Sequence, residues 1–198
     1  MAVSQQAVGT IKPDFRFLQV VQAHSGQVVS SCYRCLKCSA GCPMAEEMDF
    51  PPDKIVRMVQ LGLKDAALRS KAIWLCTGCV ACSDRCPNGI DVARVMDTLK
   101  QIALEERYPA GEPRIAGFHK EFLGVVRQYG RLHEATLMVL LKLKTRDLMS
   151  DMVVGIKMVL KGKIPPLPQR IRGRDEVVRL FDFAGRGSSK REANGGAK

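Results

Sequence analysis

Apolar residues recur along this chain at three- and four-residue steps, and no stretch alternates with the two-residue period of a half-buried strand. The segment from Asp14 to His24, reading FRFLQVVQAH after the aspartate, has one apolar face and stops near Gly26, which predicts a short amphipathic helix. Behind Pro51 and Pro52, the residues Ile55, Val56, Val59 and Leu63 fall at helical spacing, with Asp53 placed to cap and Gly62 near the end. Ser70 is placed to cap one turn, KAIWL, that runs straight into Cys76. Asp91 precedes the strongest pattern, where Val92, Val95, Met96, Leu99, Ile102 and Ala103 form one stripe. Past Gly111 helices are predicted over Pro113 to Gln128, Leu132 to Leu143 and Asp147 to Leu160; Pro113 suits a first turn and Gly130 a helix end. The fold class is all-α.

One segment breaks the pattern. In KGKIPPLPQRIRG, residues 161–173, the prolines Pro165, Pro166 and Pro168 forbid a helix and favour an extended strap. Ile164, Leu167 and Ile171 on that strap need cover, from this chain or from a partner. The expected organisation is a cluster-binding domain over 1–111, a helical extension over 112–160, a strap and partner contact over 161–185, and a small, polar, disordered basic tail over 186–198.

The eight cysteines change the picture most. Cys32, Cys35, Cys38 and Cys42 precede Pro43, and Cys76, Cys79, Cys82 and Cys86 precede Pro87, so CxxCxxCxxxCP occurs twice and uses every thiol. This is the run with which bacterial two-cluster ferredoxins hold cubane iron–sulfur clusters. Three thiolates on one short loop take three corners of a cube, and the fourth cysteine, turned away by its proline, reaches the other cluster. The pattern therefore assigns one [4Fe-4S] cluster to Cys32, Cys35, Cys38 and Cys86, and a second to Cys76, Cys79, Cys82 and Cys42. Structural zinc takes its ligands as separated pairs, which this spacing does not offer. Disulfides are disfavoured because 198 residues bury a core without staples. Met1 to Thr10 has neither the charged start nor the apolar run of a secretory leader, which predicts a reducing cytoplasm. No apolar run of about 18 residues predicts a membrane span; the longest candidate, Leu137 to Leu143, is cut by Lys142.

Charge then separates the two halves. Residues 1–111 carry 13 Lys and Arg against 11 Asp and Glu, and residues 112–198 carry 18 against 9, so +9 of the net +11 lies in the C-terminal half. Two oxidised clusters with their thiolates add about −2 each. The basic half alternates charge with apolar helical positions, without clustered aromatics, which points to an acidic protein partner and not to nucleic acid. The rival reading is an iron–sulfur redox sensor that binds nucleic acid through this half.

Small bacterial ferredoxins surround the same signature with strands, whereas the 33 residues between Cys42 and Cys76 read as helices, so residues 1–111 resemble the α-helical ferredoxin fold. The two motifs, an SGQ lead-in at Ser25 to Gln27 and the KGKIPPLPQRIRG strap together resemble the C-subunit family of heterodisulfide reductase, over residues 14 to about 173. In that family a flavin-containing A-subunit supplies electrons, and a Cys-Cys-rich B-subunit holds the noncubane clusters that reduce the heterodisulfide. The resemblance implies an electron relay with both as partners, and it carries over all eight cysteines as cluster ligands. This chain has no Cys-Cys pair and no spare thiol, so catalysis is expected elsewhere.

Other residues carry weaker expectations. His24, His119 and His133 are scattered on predicted helices and read as satisfied or solvated. Trp74, two residues before Cys76, is expected to pack over a cluster. Arg34, Lys37 and Arg85 lie inside the cysteine loops, where positive charge favours a reduced cluster, or where they are solvated or face an acidic partner. Gly41 and Gly78 are expected to let the backbone approach sulfide.

Overall fold

The computed structural model describes residues 13–145, 157–158, 161–162 and 171–195. Every regular element among them is helical. The chain divides into two units, Met1–Ile115 and Ala116–Lys198, the division falling inside a helix a few residues past Gly111.

In the first unit, α1 (Phe15–Ser25) starts at Asp14, whose side chain accepts from the Arg16 N–H at 3.0 Å, and stops at Gly26 in the left-handed region (φ 67°). After a 3-10 turn (Val29–Ser31) come α2 (Lys37–Ala40), α3 (Pro52–Gln60), α4 (Lys64–Arg69), α5 (Ala72–Leu75), α6 (Ala81–Asp84) and α7 (Val92–Glu105). The apolar stripe of α7 is the centre of the core. It packs on α1, α4, α5 and α6. Phe17, Val21, Ile55, Val59, Leu68, Ile73, Val95 and Leu99 are almost wholly inaccessible to water, each worth roughly 1.5–3 kcal/mol of burial.

One cap expectation needs correction and a second gains a partner. Asp53 does not cap α3; Pro51 holds the cap position, and Asp53 is buried inside the first turn with its carboxylate turned to the first cysteine loop. Ser70 does accept the Ala72 N–H, at 3.1 Å, but Asp49 shares the task, taking the N–H groups of Lys71 and Ala72 at 2.9 Å each. Leu63 also leaves the α3 pattern, because Gly62 (φ 69°) turns the chain into α4. A methyl on Gly62 would come within 2.5 Å of the Asp14 carbonyl oxygen, so that turn closes directly onto the start of α1.

The helix α8 (Pro113–Tyr129) leads into the second unit, which also contains α9 (Glu134–Thr145) and α10 (Arg174–Gly195). Arg127 pairs with Asp182 at 2.7 Å, Lys144 with Glu121 at 2.8 Å, and Arg174 donates to the Gln128 carbonyl at 2.6 Å. Val125, His133 and Leu137 are buried, yet Leu123, Val139, Leu180 and Phe183 remain more than half or about half exposed. The expected helix Asp147 to Leu160 lies outside the described residues except for Lys157 and Met158, which are helical; the proline core of the strap, 163–170, lies outside them too. From Arg174 onward the chain differs from expectation. It is helical through Gly195, where an extended strap to 185 and a disordered tail were expected; the run DEVVRLFDFA supplies helix formers and apolar residues that the glycines beyond it do not outweigh.

Candidate metal centre

The two cysteine motifs fold alike, residue for residue, at an offset of 44 positions. A helical turn precedes each first cysteine, and Cys32 (φ −67°, ψ 116°) and Cys76 (φ −62°, ψ 116°) leave it with the same extended backbone. Two left-handed residues follow in each loop: Arg34 (φ 61°) and Leu36 (φ 64°) in the first, Gly78 (φ 67°) and Val80 (φ 66°) in the second. Leu36 and Val80 then start α2 and α6, which carry Cys38 and Cys82. A left-handed residue followed by a right-handed turn directs successive N–H groups to one side, a geometry suited to anions. Leu36 and Val80 adopt it at a cost of about 1–2 kcal/mol each relative to an unstrained backbone.

What holds the loops in place was missed in the sequence. Ser39 and Ser83, each directly after the third cysteine, clasp the helix that follows. Ser39 donates to Asp53 at 2.6 Å and accepts the Asp53 N–H at 2.9 Å; Ser83 donates to Asp91 at 2.6 Å and accepts the Ala93 N–H at 3.2 Å. The signal was the repeated CSxxCP. A second pair ties down the first cysteines: the Gln60 amide donates to the Cys32 carbonyl at 2.9 Å, and the Lys100 ammonium donates to the Cys76 carbonyl at 3.1 Å. At the fourth cysteine of the second loop, the Ile90 N–H donates to Cys86 Sγ at 3.4 Å.

The thiols line two cavities of about 340 and 350 Å³, counting their open mouths. Cys32, Cys35, Cys38 and Cys86 line the first, with Arg34, Asp53 and Val56; Cys42, Cys76, Cys79 and Cys82 line the second, with Met44, Met48 and Met96. The fourth cysteine of each motif therefore stands with the first three of the other. All eight are free thiols. Among the described residues no three Cys, His, Asp or Glu side chains converge as ligands of one ion would, whereas tetrahedral zinc needs its sulfurs about 2.3 Å from a single centre. Thiols spaced round a walled volume, with left-handed turns beside them, fit a cubane.

Local electrostatics differ between the loops. Burial pushes the Cys38, Cys76 and Cys82 thiols above their ordinary range. At Cys38 the Ser39 hydrogen bonds oppose this and Asp53 adds to it; at Cys76 the Gly78 N–H and then Lys100 oppose it, and Asp97 adds less than Lys100 removes. These thiols must lose protons to bind metal, so loading is favoured by rising pH. Tyr33, exposed in the first loop, has its hydroxyl pushed up by desolvation and then by the adjacent Cys35.

The remaining candidates separate. Arg34 stands 3.7 Å from Asp53, while Lys37 and Arg85 border an open hollow with Ala40. Gly41 has an ordinary φ of −105° and is small for another reason than the one expected: a methyl there would come within 2.5 Å of the Arg85 guanidinium, which lies across it. Gly78 supplies positive φ, with open space where a side chain would go. Trp74 is buried with its Nε1 unpartnered, and it lines neither cavity. His133 is a satisfied cap, with Nδ1 taking the Thr136 N–H at 3.2 Å, and His119 lies edge-on to Phe118 at 6.1 Å.

Residues 28–90 match the family model of the 4Fe-4S dicluster domain. The chain is 32% identical over 87 residues to the iron-sulfur C-subunit of the CoB–CoM heterodisulfide reductase of Methanopyrus kandleri, covering 44% of this chain and 45% of that protein. It is 27% identical over 104 residues to the C-subunit of the H(2):CoB-CoM heterodisulfide,ferredoxin reductase of Methanothermobacter thermautotrophicus, 52% of this chain and 56% of the relative. It is 31% identical over 97 residues to the C-subunit of the ferredoxin:CoB-CoM heterodisulfide reductase of Methanosarcina mazei, 49% of this chain and 59% of that protein. The chain thus spans about half the length of the curated relatives it matches. The domain is of the all-α ferredoxin type, its cofactors are two [4Fe-4S] clusters, and its role is iron–sulfur electron transfer. No helix among the described residues is long and apolar enough to cross a membrane.

Proposed function

We propose that this chain is the relay component of a heterodisulfide-reductase-like complex. In this reading Cys32, Cys35, Cys38 and Cys86 hold one cubane and Cys42, Cys76, Cys79 and Cys82 the other, and single electrons pass through both between a flavin-containing protein and a Cys-Cys-rich protein that reduces a disulfide. The observation that carries it is the composition of the two cavities, each lined by three cysteines of one motif and the fourth of the other. Shared ligand loops bring two one-electron centres together and leave no thiol over for substrate chemistry. The clusters supply reversible one-electron storage; the chain supplies ligands, buried charge and exclusion of water.

The second unit supports a docking role. It joins a surplus of positive charge to exposed Val139, Leu180 and Phe183, the mix of apolar contact and charge that protein interfaces use. The test is anaerobic. The loaded chain should accept electrons from a reduced viologen, show no disulfide turnover alone, and gain it when a Cys-Cys-type partner is added. Turnover by the single chain would overturn the relay. Deleting residues 161–198 should keep both clusters and weaken co-purification with that partner; unchanged assembly would remove this segment from the interface.

A further inference from the structure

An ion pair stands beside each cavity, and its buried member has opposite sign in the two. At the first, Arg34 and Asp53 are 3.7 Å apart with side-chain exposures of 41% and 4%, so the anion is buried. At the second, Lys100 and Asp97 are 3.2 Å apart with exposures of 16% and 57%, so the cation is buried. Water and salt screen the exposed partner, and the buried charge keeps most of its field. Much else is common to both sites: the paired left-handed residues, the serine clasp and a largely apolar lining. Those shared contributions cancel in a comparison. Asp53 Oδ2 lacks any hydrogen bond; Ser39 donates to Oδ1 at 2.6 Å, and the carboxylate is paired with the part-exposed Arg34 at 3.7 Å.

We propose that Lys100 and Asp53 set the order of reduction, so that the site of Cys42, Cys76, Cys79 and Cys82 takes the first electron and the site of Cys32, Cys35, Cys38 and Cys86 the second. This rests on the ligation proposed above. In the step, a reduced viologen loses one electron and the four-thiolate cubane gains it, its formal charge passing from about −2 to about −3 with no bond made or broken and no proton required. Lys100, held against the Cys76 carbonyl, stabilises that added charge; Asp53, beside the other cavity, opposes it.

The test is a redox titration of the full, anaerobically loaded chain followed by electron paramagnetic resonance. Cys79→Ser should alter or abolish the signal that appears with the first equivalent and spare the later one. Lys100→Met, which keeps the stem and removes the charge, should weaken the preference of the site of Cys42, Cys76, Cys79 and Cys82 about tenfold, a downward shift of the first wave of about 59 mV for one electron, with the second wave unmoved. Lys100→Arg should restore it, and Asp53→Asn should raise the second wave alone. A later signal altered by Cys79→Ser, or a Lys100→Met shift that falls on the second wave, on both equally or on neither, overturns the order. Should Lys100→Met not fold, the Cys79→Ser result alone decides. A chain without labile sulfide or any cubane signal would defeat the ligation itself, a failure seen before any potential is read.

Discussion

The two cysteine loops share a backbone and a clasp but not their side chains, and the differences show which features the cluster sites demand. Where the first loop has Arg34 in the left-handed region, the second has Gly78; where the first has Gly41, the second has Arg85. Backbone shape is common to both, so it is what the cube requires. Side-chain charge is not. In the first loop Arg34 accepts a strained conformation and faces the buried Asp53, whereas the second loop relaxes that position with glycine and draws its charge from Lys100 on α7. Gly41 and Arg85, equivalent by position, pack on one another: the larger residue of one loop fills the space left by the smaller residue of its counterpart.

The largest way to break this correspondence is to cut the exchange of fourth cysteines. Cys42→Ser should disturb the same spectroscopic signal as Cys79→Ser, and Cys86→Ser the same signal as Cys35→Ser. If each fourth cysteine instead disturbs the signal of its own motif, the crossed ligation is wrong. Next comes the contact between the loops. Gly41→Val forces a branched side chain into Arg85 and should destabilise by about 2 kcal/mol, a loss that Arg85→Ala in the same chain largely relieves. Additive losses in the double variant, read by anaerobic melting, would show that the two positions do not couple.

Removing the clasps sharpens the difference in burial. Ser39→Ala leaves the buried Asp53 without its closest partner and should cost about 2 kcal/mol, while Ser83→Ala should cost about 1 kcal/mol because water reaches Asp91. The second loss has a pH signature. The Ser83 hydrogen bond, the largest influence, holds the Asp91 carboxyl below its ordinary range. Its contribution is present above the unfolded value of about 3.9 and is lost as pH falls through the lower folded value. The gap between wild type and Ser83→Ala, followed by circular dichroism, should therefore close in acid; a gap that widens there would assign the shift to another group. Smallest is Gly78→Ala, for which a left-handed φ costs about 1 kcal/mol, lowering the melting temperature of a unit of this size by about 4 °C. No change would mean that the second loop tolerates the strain that Arg34 carries in the first.

Local sequence was sufficient for α1, α3 and α7 because each is punctuated by a short-range device: Asp14 and Gly26 around α1, Pro51 and Gly62 around α3, Asp91 before α7. Cysteine spacing was likewise sufficient for the type of centre, since steps of three residues curl one loop around a cube whatever surrounds it. The strap expected to run to 185 gives way at Arg174, where the apolar and charged helix formers of DEVVRLFDFA begin a helix.

What spacing could not decide was any relation between residues far apart in the chain. Asp53 resembles a cap in sequence, but folding buries it 14 residues from Ser39 as the clasp of the first loop. Lys100 is an ordinary polar position on an amphipathic helix until α7 carries it 24 residues back to the Cys76 carbonyl. Gly41 looked like a glycine spared for the cluster and proved to be spared for Arg85. The ligand types and the helical frame follow from interactions within a turn or a loop, which the order of residues specifies directly. The sign of the buried charge at each site depends on which side chains tertiary packing removes from water, and only the folded chain determines that.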